Sequence, residues 1–240
     1  MCVQNLGEDA INDVNPDICL YYSPGACSLA VHIVLEELEL PYRISSVLIS
    51  EGQNYNNSFL RLNPKGRVPV LHVNESILTE APAILVYLAN MKPEAELLSL
   101  SEIDRFRCLE WLNWLSSTVH SVGFGQIWRP DRFTNDQAQF DDIIARGREN
   151  ITFAYRHIEN AMTGRKWSVG HGYTCVDPFL LVFYLWGKAI GFDMKGDHPA
   201  WSLHAENVLS SARWNRKACH FSETAVKNTL STSHRTSETS

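Results

Sequence analysis

In the stretch YYSPGACSLAVHIVLEELEL (residues 21–40) a Pro24-Gly25 turn delivers Cys27 and Ser28 to the start of a helix. A helix N-terminus carries unpaired N–H groups and roughly half a positive charge, which stabilise a thiolate on the protein or on a bound substrate. A free cysteine of pKa about 8.5 is only about 3% ionised at neutral pH, and lowering it by about 2 would make it mostly thiolate. Packed against a sheet, the same residue is a small buried hydrophobe.

RVPV (67–70) is a second signal. Pro69 stands near the start of a strand-like run, where it donates no hydrogen bond. A cis Val68–Pro69 peptide would turn the N–H and C=O of Val68 toward an extended peptide ligand, and only X-Pro makes a cis bond cheap. A trans proline on an edge strand is the alternative. The third signal is Thr79-Glu80-Ala81, which opens another helix. Its N–H groups suit a carboxylate, and Glu80 beside them suits an ammonium group. An acid in the first turn also complements the helix dipole with no ligand at all. A thiol, an extended peptide and an α-amino-acid end together describe glutathione.

The elements that hold these residues follow from periodicity. ICLYYS (18–23) reads as a strand, and Ser28 as the cap of a helix to about Leu40 with Ala30, Ile33, Val34 and Leu38 on one face. YRISSVLI (42–49) is a second strand, NPKGRVPVLHV (63–73) a turn and strand, and ILT the end of a further one. Thr79 caps a helix over 79–90, where Pro82 is tolerated in the first turn. This order, β-α-β and then β-β-α, is a thioredoxin-like pattern covering 18–92. A linker at 93–101 leads to an all-helical domain over 102–220. There Ser101-Glu102-Ile103-Asp104 forms a capping box, and Ile103, Phe106, Leu109, Leu112, Leu115, Val119 and Val122 face inward. A long helix spans about 136–162, and Thr174 to Asp177 cap the most apolar helix. Residues 1–17 read as a flexible acidic extension and 221–240 as a disordered Ser/Thr-rich tail.

Composition excludes several classes. A net charge of -6 leaves no basic footprint for nucleic acid. The longest apolar run, FLLVFYLW (179–186), is far short of the ~20 residues that cross a bilayer. The first 17 residues contain four acids, no bases and no apolar core, so they are not a secretory signal, and a cytoplasmic location is expected. Six scattered cysteines without a C-x-x-C argue against zinc and against a disulfide framework.

YYSPGACSLAVHI, NPKGRVPVL, LTEAPAILVYLAN, EWLNWLSSTVH and WSVGHGYTCVDPFLL stand in order and at family spacing. Over roughly residues 18–215 the chain resembles a glutathione transferase, most closely the bacterial-type beta class. The resemblance implies a thioredoxin-like domain followed by an all-helical one, a homodimer, glutathione as cosubstrate and no metal. The implied reaction transfers the glutathione thiol to a small-molecule electrophile that is apolar, aromatic or quinone-like. By the same resemblance Cys27 lies near the glutathione sulfur, Tyr22 is the strand tyrosine, and Ser28 is a hydroxyl that could serve instead. Val68, before Pro69, pairs with the cysteinyl backbone of glutathione, and Glu80 and Ala81 hold its γ-glutamyl end. His120 points into the cleft between domains, where it shapes or protonates the substrate side. Asn113 helps close the site across a dimer interface, Trp186 matches a cleft tryptophan, and Thr174 and Asp177 form an N-capping box with no chemistry.

The chain also departs from that pattern. Ser121 stands where a basic residue usually follows the histidine. No Lys or Arg occurs between Arg43 and Arg61, where relatives offer a lysine to the glycyl carboxylate, so Arg67 is left to supply that charge in place of the usual glutamine. Ala81 lacks the hydroxyl most classes use. The extension and tail point to a eukaryotic, fungal enzyme with a specialised substrate in secondary metabolism. Two rival functions keep the fold: a glutathione-dependent isomerase, lyase or dehalogenase, and a non-catalytic ligand-binding or dimerisation protein.

Overall fold

A computed structural model describes residues 16–210. Most of the extension expected at 1–17 and all of the tail expected at 221–240 lie outside the described residues, as do Cys2 and Cys219.

β1 (Ile18–Tyr22), α1 (Ser28–Glu37) and β2 (Arg43–Ser46) form a parallel β-α-β unit. A short α2 (Asn57–Leu62) follows, then β3 (Val70–Val73), β4 (Ser76–Thr79) and α3 (Ala81–Met91). The sheet order is β2-β1-β3-β4, with β3 antiparallel to both neighbours. Because side chains alternate along a strand, Ile18 and Leu20 of β1 enter the main core under α1 and α3, while Tyr21 turns to a smaller cluster of Val47, Phe59, Val68 and Val70. Phe59 is the one buried residue of α2, and it caps that second face.

The rest of the described chain is helical. α4 (Glu102–Trp114) runs without a break into a π-helical segment, Leu115–Phe124, and then α5 (Gly125–Trp128). α6 (Phe140–Met162), α7 (Val176–Ala189), α8 (Met194–Asp197) and α9 (Pro199–Leu209) complete it. α1 packs on α3 and equally on α7, so one apolar core runs through both halves. The expected caps form at α4, where Ser101 Oγ accepts from the Asp104 N–H at 3.5 Å, and at α7. At α7 the buried Asp177 carboxylate accepts from the Thr174 N–H at 2.6 Å and the Ser168 N–H at 2.9 Å, and lies 2.8 Å from His204 Nε2 of α9. This one acid ties together the start of α7, the loop before it and α9.

Several expectations are corrected. α1 stops at Glu37 and β2 at Ser46, short of Leu40 and residue 49. Thr79 ends β4, and Glu80 is the residue that caps α3. Ile103 and Phe106 are 63% and 60% exposed, and Val122 is also exposed. The wider π turn bears on Val122 alone, since Ile103 and Phe106 precede it: it shifts the register within Leu115–Phe124, burying Phe124 and turning Val122 outward. Two glycines let α6 lie close against this segment. A Cβ on Gly123 would sit 2.5 Å from Ile151 Cδ1, and one on Gly147 would sit 2.8 Å from Gln126 Cβ.

Candidate active site

The turn after β1 is tied by its own serines. Ser28 Oγ accepts from the Ser23 N–H and donates to the Ser23 carbonyl, both at 3.3 Å, and Ser23 Oγ accepts from the Ile49 N–H at 3.3 Å. Ser28 is therefore a buried brace for the turn. It does not cap α1, which corrects that expectation. Tyr22 is half-buried, and its ring packs toward the core beside His32 of α1 at 6.3 Å.

Cys27 occupies the cap position of α1 and is 6% exposed. Its Sγ donates to the Val68 carbonyl at 3.6 Å. Burial pushes the thiol up to about 12, outweighing the helix-start N–H groups of Cys27 and Ser28 and the charge of Arg67 that favour a thiolate. The N–H groups act as the sequence suggests, but removing the sulfur from water is the larger effect. The expected thiolate is thereby corrected to a protonated thiol.

The loop opposite is fixed by two asparagines. Asn54 Nδ2 donates to the Gly66 carbonyl at 2.9 Å, and Asn63 Nδ2 to that of Arg67 at 2.7 Å. The Val68–Pro69 peptide that follows is cis, and both residues are buried at the entry to β3. Arg67 remains exposed. Glu80 adopts φ +73°, a left-handed conformation that non-glycine residues seldom take away from functional sites. It stands before the buried Ala81, the first residue of α3, whose open N-terminus suits an anion. Lys65 Nζ occupies the Glu80 carboxylate and also donates to Thr79 Oγ1 at 2.7 Å.

From the helical half, the π segment presents His120. Its ring meets Trp186 edge-on at 4.9 Å, and Trp186 also packs on Phe124, Trp128 and Phe183 at 4.9 to 5.2 Å. Trp186 Nε1 donates to the Gly25 carbonyl at 2.7 Å, bridging 161 positions of sequence to the turn that carries Cys27. At 4% exposure Trp186 is a strut between the halves. Burial, with the charges of Arg67 and Arg132, pushes His120 down to about 4. At that value the imidazole is neutral at physiological pH.

Arg67 and Glu80 act electrostatically on both Cys27 and His120. Trp186, bonded to the Gly25 carbonyl and packed on His120, brings residues of the two halves together. Asn113 stands apart, exposed on α4. Sequence reasoning did not single out Lys65, Trp128 or Arg132; Lys65 lies inside the NPKG turn, but the other two carry no local signal. Among the described residues no group of His, Cys, Asp or Glu is arranged to hold a metal, and no helix is long and apolar enough to cross a membrane.

A thioredoxin-like sheet domain followed by a helical region defines the class of fold. The family model for the glutathione S-transferase N-terminal domain matches residues 25–91. Glutathione S-transferase GstA of Escherichia coli O157:H7 is 31% identical over 180 residues, covering 74% of this chain and 86% of that one. A glutathione transferase homolog from Sulfitobacter, solved with bound glutathione, superposes with a TM-score of 0.78 at 28% identity, covering 83% of this chain and 96% of that chain. A beta-class enzyme of Sphingomonas chungbukensis gives a TM-score of 0.70 at 25% identity, covering 90% and 98%. The chain belongs to the glutathione S-transferase family.

Proposed function

We propose that the protein binds glutathione in the cleft between Cys27, Val68, Glu80 and His120 and transfers its thiol to an apolar, aromatic or quinone-like electrophile. The observation that carries this reading is the link between Cys27, whose Sγ donates to the Val68 carbonyl at 3.6 Å, and His120, whose ring meets Trp186 at 4.9 Å, through the hydrogen bond from Trp186 Nε1 to the Gly25 carbonyl. The γ-glutamyl ammonium of glutathione would take the Glu80 carboxylate from Lys65, and its α-carboxylate the N-terminus of α3. Its cysteinyl backbone would pair with Val68, and its glycyl carboxylate with Arg67.

The nucleophile is the glutathione sulfur, because Cys27 holds its proton. The helix-start N–H groups of Cys27 and Ser28 favour a thiolate beside them. The S–H of Cys27, which points at Val68 in the free protein, can donate to that thiolate once it is bound. Attack by the bound thiolate forms a C–S bond: on an aromatic halide the halide departs with its electron pair, and on a quinone the pair moves to the carbonyl oxygen, which takes a proton from water, while His120 and its aromatic neighbours wall the acceptor side. A dehalogenation that needs a second reactive thiol is disfavoured by the protonated Cys27.

We further propose a homodimer through the exposed apolar face of Leu100, Ile103 and Phe106, which are 73%, 63% and 60% exposed. Cytoplasmic residence fits the free thiols of Cys19, Cys27, Cys108 and Cys175. The departures at Arg67, Ala81 and Ser121 favour a specialised electrophile, as in secondary metabolism, over broad detoxification. The test is thioether formation from glutathione and chlorodinitrobenzene. Turnover above the uncatalysed rate, lost in Glu80→Gln through a raised glutathione KM, supports the reading; none with this or any related aromatic halide opposes it.

A further inference from the structure

A cavity of about 380 Å³ opens where the end of α1, the linker over 94–99 and the loop over 167–174 meet. α1 starts beside Cys27 and ends at Glu37, so its ten residues, about 15 Å at about 1.5 Å each, separate this cavity from the thiol. The Cys175 N–H donates to the Leu97 carbonyl at 2.8 Å and ties the linker to that loop. Leu97 and Val169 are buried and give the cavity an apolar side. Its volume is that of a small-molecule site.

The other walls are aromatic and acidic. Trp167 and Tyr173 meet edge to face at 5.2 Å and 84°. Glu37, Glu94 and Glu96 all line the cavity, and among the described residues none of the lining is basic. Neither Glu94 nor Glu96 makes an ion pair among the described residues. Carboxylates of one sign around a concavity concentrate cations there. Two independent observations say which kind of cation. Lys166, which is not part of the lining, holds its Nζ 5.1 Å over the Trp167 ring, so this indole already receives an ammonium group. The Tyr173 hydroxyl is buried with no hydrogen-bond partner among the described residues, a costly state that a donor N–H would end. The acids are not grouped to hold a metal ion.

We propose that this cavity is a second binding site, for an organic ammonium ion. The amine's apolar body covers Leu97 and Val169, while its charge lies against Trp167, Glu94 and Glu96. The site is independent of the transferase reading, since no residue assigned to glutathione lines it.

The test titrates phenethylammonium into the full chain by calorimetry, with and without saturating glutathione. One site per chain, unaffected by glutathione, is expected. 3-Phenylpropionate, which reverses the charge, and N-acetylphenethylamine, which removes it, should bind at least about tenfold more weakly, the scale of a charge-assisted contact. Glu94→Gln combined with Glu96→Gln alters exposed side chains only and should weaken the amine by about fivefold. Trp167→Leu should weaken it by a similar factor, the scale of a partly exposed cation–π contact. Lys166→Ala, which frees the ring, should bind at least as tightly as wild type. Absence of heat at millimolar amine, competition with glutathione, equal binding of the propionate, or unchanged affinity in the glutamate double variant overturns the proposal. Failure of glutathione to bind, with the amine site intact, bears on the transferase reading alone.

Discussion

Alkylation of Cys27 separates the two accounts of this cysteine. With its thiol pushed up to about 12, Cys27 in the folded protein should be almost entirely protonated near neutral pH. At about pH 7.5 an ordinary thiol of pKa about 8.5 is about 10% thiolate, against about 0.003% here, roughly a three-thousandfold difference. Since the thiolate is the reactive form, the alkylation rate scales with that fraction. The assay is iodoacetamide labelling, native and in urea, with peptide mapping of the segment containing Cys27. The native rate should be lower by a thousandfold or so and still rising as pH passes about 10. Stability carries the matching sign. The buried thiol contributes fully below its unfolded pKa of about 8.5 and loses that contribution as pH climbs toward about 12. Cys27→Ala should lower transferase activity by the loss of one S–H hydrogen bond to the glutathione thiolate without abolishing it, because a protonated thiol is not the nucleophile. Labelling at the rate of an exposed thiol, or a pH profile that levels off near neutrality, would refute the argument that burial outweighs the helix start.

The remaining predictions concern the elements around the cleft. Gly123→Ala should destabilise the fold by about 1–3 kcal/mol, the usual range for overpacking, seen as a lower urea midpoint, since the new methyl would lie 2.5 Å from Ile151 Cδ1. The imidazole of His120 should stay neutral by NMR until pH falls toward about 4; the stability it contributes is present above about 6.5 and lost on acidification through that range. A midpoint near 6.5 would contradict its burial. Phe106→Glu should shift sedimentation from dimer to monomer; an unchanged mass would place the subunit contact elsewhere.

The β-α-β and β-β-α order was legible because Leu20, Ile33, Val70 and Leu71 stand in short apolar runs between turn residues, and all four are buried. α2 was not, since NSFLRL buries a single residue and shows no period. The left-handed Glu80 was invisible for a different reason: glycine announces a positive φ, and glutamate does not. Within the π segment the three-and-four spacing continues on paper, and only packing against α6 shows where the register changes. Cys27 is the most instructive residue. Its helix start is local and readable, but its burial is not. The helical half, anchored by Trp186 on the Gly25 carbonyl, closes over a turn that the first thirty-odd residues alone would leave open.

Calorimetric titration with glutathione tests the central claim most directly. The account predicts one site per chain, weakened by Glu80→Gln and by Arg67→Ala, which remove the partners of the ammonium and of the glycyl carboxylate. Absence of heat and of competition up to several millimolar glutathione, with the protein folded, would contradict it.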